Sequence, residues 1–219
     1  MRLTSKGQAT QQRIVRTAAG LIAERGVAGT SIENVRSAAG VSGSQMTHYF
    51  HDKRSLVQAV VGLQADVVVR SSELDSFAAL RAWASTQVQH QIDNGCAGGC
   101  RFGSLAGELA ESDPATRREL ATGFGRWEVA LRDGLQAMRD RGDLRPDADP
   151  ARLATSLLGA LQGGVLLTQT HRDPTPLAVT LDAMLTHVES YATDQYAVRR
   201  TPGPDGERVS GSGDARRED

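Results

Sequence analysis

The stretch TSIENVRSAAGVSGSQMTHYF, residues 30–50, constrains the fold more tightly than any other part of the chain. Two short segments, each opened by a hydroxyl residue with a polar partner three positions on, meet at a single glycine. Thr30 with Glu33, and Ser42 with Gln45, have the spacing of a capping box, in which a hydroxyl accepts a backbone N–H and the partner side chain reaches back. Gly40 then supplies the positive backbone dihedral that a tight turn between crossing helices requires. Val41 is placed to plug the gap between them, and Ile32 and Val35 stand at helical rather than strand spacing.

The neighbouring segments read as helices too. Ile14, Ala18, Leu21 and Ile22 follow the spacing of a one-faced helix from about Thr10 to Arg25, closed by Gly26. Asp52 opens a fourth helix carrying Leu56, Val57, Val60, Val61 and Val67. A helix around Phe77 to Asn94 follows, then a shorter one from about Phe102 to Glu111. Asp113-Pro114, Asp149-Pro150 and Thr175-Pro176 each pair a capping side chain with a proline at the first helical position. They predict helices of about 28, 20 and 20 residues. No useful strand alternation appears, so the expected fold is all-α with about nine helices.

Charge separates one end from the rest. Residues 1–55 hold eight basic side chains against three acidic ones, a net of +5, which leaves 17 basic and 23 acidic residues, a net of −6, beyond them. A basic head on an acidic body suits a chain whose one end meets a polyanion. We therefore expect a helix-turn-helix DNA-binding head over 1–55, a larger helical body over 56–198, to which the family resemblance described below assigns effector binding and dimerisation, and a disordered Gly-, Pro- and Ser-rich tail over 199–219.

Several classes are disfavoured at this point. No apolar run is long enough to span a membrane, and the charged N-terminus lacks the apolar core of a secretory signal. Cys96 and Cys100 are the only cysteines, too few for a disulfide framework. These readings point to a cytoplasmic protein with no membrane partner. No phosphate-binding glycine loop, metal-ligand pair or nucleophile motif marks an enzyme, so no catalytic residue, metal or cofactor is expected.

The stretch TSIENVRSAAGVSGSQMTHYFHDKRSLV resembles the TetR family of tetracycline-repressor-like transcriptional regulators, and with the preceding helix the resemblance covers about the first quarter of the chain. It implies an all-helical homodimer, a palindromic double-stranded DNA operator, and a variable C-terminal domain that releases DNA when a small molecule binds. Three positions depart from the family pattern. Arg36 stands where alanine is usual, Ser44 replaces a glycine, and Thr47 replaces a tyrosine that commonly touches phosphate.

The candidate DNA contacts are Thr30, Arg36, Ser42, Ser44, Gln45, Thr47, His48, Tyr49 and Lys53. Gln45 can bond both N7 and N6 of adenine, or spend its amide on capping the helix of Ser42. Thr30 and Ser42 sit at helix starts, where hydroxyls and free N–H groups suit phosphate oxygens. Arg36 must extend outward, where it can add a phosphate contact. His48, Tyr49 and Lys53 match the family's backbone-binding positions. Met46 and Phe50 read as core.

The body is less explicit. Phe102, Phe124 and Trp127 fall on helices that line ligand cavities in the family, although any one of them also suits an ordinary core. GCRFGSLAGELAESDP resembles a subgroup motif, some of whose members answer to planar aromatic compounds. GCAGGC makes a poor zinc site, with His90 the only close third ligand. It leaves open a thiol-based redox regulator beside the main reading, and a helical small-molecule carrier with a weakened head is a further alternative. For dimerisation, Leu153, Leu157, Leu161, Val165 and Leu167 form one stripe, and Leu177, Leu181, Leu185 and Val188 another. Gly159, Gly163 and Gly164 allow close helix approach.

Overall fold

Thr4 starts the first helix of the chain, well before the apolar periodicity begins. In the computed structural model its side chain accepts from the N–H of Gly7, and α1 runs Ser5–Arg25. Its first turns are polar and exposed, so they carry no period for a sequence pattern to detect. The structure describes residues 4–68, 74–111 and 114–194. The expected tail over 199–219, the Asp113 cap and the side chain of Val67 lie outside the described residues.

Eight further helices follow among the described residues. They are α2 (Ile32–Ala39), α3 (Gly43–Tyr49), α4 (Lys53–Val68), α5 (Phe77–Asp93), α6 (Arg101–Leu109), α7 (Pro114–Asp140), α8 (Pro150–His171) and α9 (Thr175–Glu189). The fold is all-α, as expected. A lone backbone bridge, Leu144 to Ala192, is the one strand-like pairing among the described residues.

Two helix starts differ from expectation. At α2 the cap is Ser31, whose box partner is Asn34: each side chain bonds the other's backbone N–H, both at 3.1 Å. Thr30 is instead buried, and its hydroxyl donates to the Gly26 carbonyl at 2.9 Å. At α9, Thr175 is already helical. Asp173 Oδ1 accepts from its N–H at 2.9 Å, which moves the start one position earlier than the Thr-Pro pair implied. That helix ends at Glu189 because the chain turns back: Arg145 N–H bonds the Tyr191 carbonyl and Thr193 N–H the Asp143 carbonyl.

One apolar core runs from Ile14 and Val35 in the first helices to Leu181 and Val188 in the last. The α8–α9 pair is its most extensive helix packing. Gly164 makes that approach possible, since a Cβ there would stand 2.9 Å from the Leu177 Cα. This packing corrects the expected dimer stripe. Leu153, Leu157, Leu161, Val165, Leu177, Leu181, Leu185 and Val188 are all buried within one copy of the chain. Of the expected stripe only Leu167 is exposed; it lies on the outward surface with Leu166 and Val179, where a Cβ at Gly159 or Gly163 would meet nothing within 4 Å.

Candidate nucleic-acid interface and effector cavity

The turn between α2 and α3 has the geometry that its glycine promised. Gly40 sits in the left-handed region at φ 61° and ψ 44°, and Val41 behind it is buried. Ser42 caps α3, accepting from the Gln45 N–H at 3.2 Å, while Gln45 Oε1 accepts from the Ser42 N–H at 2.9 Å. Met46 and Phe50 anchor the helix in the core. This leaves Ser42, Ser44, Gln45, Thr47 and His48 exposed along one short helix. Asp52 caps α4 by accepting from the Ser55 N–H at 2.7 Å, and that bond holds its carboxyl below the usual range. Lys53 therefore begins α4 immediately beyond the exposed end of α3.

Several of these side chains already have intramolecular partners. Ser44 and Ser42 hydroxyls lie 3.0 Å apart, and Thr47 donates to the Gly43 carbonyl at 3.0 Å. His48 packs edge-on against half-buried Tyr49, with ring centroids 5.0 Å apart. Arg36 does not simply extend into solvent. Its Nε donates to Glu33 at 2.8 Å, and a second guanidinium nitrogen donates to the Val41 carbonyl at 3.3 Å, within the turn itself. The hydrogen bond from Arg36 holds the Glu33 carboxyl below its ordinary range. Thr30 drops out as a surface contact, since burial and its bond to Gly26 occupy the hydroxyl. The exposed set that remains is small, polar and bordered by Lys53 and Arg54.

On the far side of α1 lies a cavity of about 1350 Å³, walled by α1, α4, α5, α6, α7 and α8. Phe102 and Trp127 are on its wall, as expected. Phe124 is not; its ring packs edge-on behind theirs, with centroids 4.9 Å from Phe102 and 5.8 Å from Trp127. Gly123 lets the Phe102 ring lie against α7, because a Cβ there would stand 2.3 Å from the Phe102 Cζ. The wall also contains Gln91 and Gln162, which the sequence did not single out. Glutamine carries no signature of its own, and these two lie on different helices.

Both thiols are free. Cys96 is buried with a positive φ of 53°, and Cys100 caps α6, its sulfur accepting from the Gly103 N–H at 3.3 Å. No group of metal-ligating side chains occurs among the described residues, and no helix there is long and apolar enough to cross a membrane.

Comparison with known proteins accounts for both halves of this arrangement. Residues 14–60 match the model for bacterial regulatory proteins of the tetR family, and residues 76–184 the model for tetracyclin repressor-like C-terminal domains. The chain is 24% identical over 201 residues to the HTH-type transcriptional repressor DhaR of Mycobacterium sp. strain GP1, covering 84% of this chain and 96% of DhaR. It is 28% identical over 178 residues to an uncharacterized HTH-type transcriptional regulator of Mycobacterium tuberculosis, covering 78% and 89%. A TetR transcriptional regulator from Chloroflexus aurantiacus has the same fold, with a TM-score of 0.74 at 24% identity over 86% of this chain and 98% of that one. The helix-turn-helix, the helical body and the two matched models together identify the chain as a DNA-binding transcriptional regulator that belongs to the TetR family.

Proposed function

We propose that this regulator is a repressor: as a homodimer it holds a palindromic operator and releases it when a small molecule fills the cavity between α1 and α8. The observation that carries the reading is the exposed polar face of α3, fixed by the Gly40 turn and the Ser42–Gln45 cap. In the proposal, residues 1–55 are the head and 56–198 the body. Ser42, Ser44, Gln45, Thr47, His48, Tyr49 and Lys53 meet DNA, with Arg36 joining them only if Glu33 lets go. Phosphate contacts set the register, and Gln45 reads a base once its amide turns from the cap. The chain binds and releases rather than catalyses, and it works in the cytoplasm, where bacterial DNA lies.

The outward face of α8 and α9 supports a homodimer. Leu166, Val179 and the open backbone at Gly159 and Gly163 offer a second copy an apolar, closely approachable surface. Two-fold pairing there sets two recognition helices about 34 Å apart, one turn of DNA.

The test uses purified full-length protein and labelled duplexes carrying inverted repeats from upstream of its own coding sequence. Anisotropy should show one repeat bound far more tightly than a scrambled duplex. Affinity should fall about a thousandfold between 50 and 200 mM salt if six or more phosphates are neutralised. Equal affinity for repeat and scramble sinks the proposal.

A further inference from the structure

The large cavity carries fixed charge of one sign. Among the described residues its wall holds two guanidiniums, Arg16 of α1 and Arg101 of α6, and no carboxylate. This runs against the body around it, since residues 56–219 hold 17 basic and 23 acidic side chains. Arg81, Arg141 and Arg145 of that body pair with carboxylates of the same chain. Arg16 and Arg101 do not. Neither side chain has a hydrogen bond or an ion pair with a described residue, and both stay exposed where the cavity opens to solvent.

The same wall also has apolar surface. Ala59, Leu63, Trp83 and Ala130 line the space and are half-buried, so hydrocarbon remains open there beside the more deeply buried Leu131 and Leu158. A molecule in two parts matches this wall. Its apolar part gains by leaving water, and a negative group at one end meets two unengaged cations. A guanidinium presents a planar fork of N–H donors that suits a carboxylate in particular. An ammonium in the same place would meet like charges and lose hydration.

The two arginines stand on different parts of the molecule. Arg16 belongs to the first helix of the head, whereas Arg101 begins a helix of the body. Arg101 also borders a second, smaller space of about 200 Å³, which it shares with Gly26 and Glu108. There Glu108 Oε2 accepts from the Val27 N–H, just past the end of α1.

We infer that the effector is an amphipathic organic carboxylate, its anionic end held by Arg16 and Arg101 and its apolar part along Leu63 and Trp83. Held by both, the carboxylate fixes α1 against α6 beside the joint between head and body. The inference rests on the cavity being the effector site.

Three probes of one chain length test it: decanoate, 1-decanol and decyltrimethylammonium, which end in a negative, a neutral and a positive group. Each is titrated calorimetrically into the full-length protein below its micellar or solubility limit. Decanoate should bind about fivefold or more tighter than decanol, and about tenfold or more tighter than the cation. Arg101→Gln should remove most of that preference while decanol affinity changes by less than about twofold, an outcome that a merely structural role would not give. Arg16→Gln should do the same, and it decides alone should Arg101→Gln fail to fold by circular dichroism. Equal binding of decanoate and decanol, a preference for the cation, no binding of any probe, or a decanoate preference that survives the substitutions overturns the inference.

Anisotropy on the same samples reads operator binding. Saturating decanoate should lower affinity for the operator repeat, and decanoate that binds without doing so also overturns the inference. Repeat-specific binding with no decanoate preference rejects this inference alone. Absence of repeat-specific binding in the ligand-free protein rejects the repressor reading instead.

Discussion

Glu108 Oε2, on α6, accepts a hydrogen bond from the backbone N–H of Val27 at 2.8 Å, joining positions 81 apart in sequence. Val27 follows Gly26, the C-cap of α1, and a Cβ on Gly26 would lie 3.2 Å from the same carboxylate. Phe102 of the cavity wall stands on the same helix as Glu108, less than two turns away. The bond thus links the cavity to the loop that leads into α2.

Glu108→Leu should loosen that link. Melting by circular dichroism should register a loss of about 0.5–1.5 kcal/mol, the net value of one such bond. The sharper readout is coupling: the ratio of operator affinities with and without a saturating cavity probe should fall toward one, from a starting coupling of about 1–3 kcal/mol. An unchanged ratio in a folded variant would assign transmission to other contacts.

On the outward surface of the body, Leu166→Glu with Val179→Glu should give a folded monomer that no longer holds the operator, because both side chains are exposed in one copy. Leu157→Glu should behave differently and unfold the chain, since Leu157 is fully buried and an unpaired charge there has no partner. Sedimentation separates the first outcome from the second, with far-ultraviolet circular dichroism as the folding check. A dimer surviving the double substitution moves the interface elsewhere.

Gln45→Ala and Lys53→Ala should differ in kind. The first removes a cap partner and a base-reading amide, so affinity for the preferred operator should drop by about 1–3 kcal/mol and one base position should relax. The second should weaken every sequence about equally and reduce the salt slope by about one. Identical specificity profiles for the two variants would remove Gln45 from base reading.

Arg36 predicts an inverse effect. Because Glu33 engages its guanidinium, Glu33→Ala should raise affinity for non-specific DNA, and Arg36→Ala should change it little. The pair's contribution to the head follows the Glu33 carboxyl, whose folded value is depressed. That contribution is present above the unfolded value of about 4.3 and is lost as pH falls through the lower folded one. Melting of native protein and Glu33→Gln should therefore converge in acid and differ at neutral pH.

Gly40→Val should cost more than Gly40→Asn. Space does not limit either, as a Cβ there meets nothing within 4 Å. The cost is conformational: a left-handed φ of 61° is tolerated by asparagine and strained for a branched side chain, by about 1–2 kcal/mol. Thermal melts that rank the two the other way would reject the dihedral argument.

What was legible in the sequence was local. The Ser42–Gln45 box, the Gly40 turn and the Asp149-Pro150 start each depend on residues within three positions of one another, and each appears as read. Thr30 was misread for the same reason: Ser31 beside it has an equally good partner at Asn34, and spacing alone cannot rank two adjacent hydroxyls. The dimer stripe failed on a different ground. Periodicity says which face of α8 is buried but not against what, and α9 of the same chain covers it. The cavity was only half visible. Its aromatic members stood out, while Arg16 and Arg101 matter through the absence of a partner, a property of the folded surroundings.

Gln12, Val15, Arg16 and Ala19 of α1 line the cavity, while Ile14 and Ala18 of the same helix are buried in the core that the head shares with the body. One rod thus serves two neighbourhoods, and this has a consequence for exchange between relatives. Grafting a foreign operator-reading head onto this body would import a foreign stretch of effector wall with it. Chimeras joined near residue 55 should therefore change which molecules they answer to as well as which DNA they hold, whereas a graft confined to α2 and α3 should change the DNA alone.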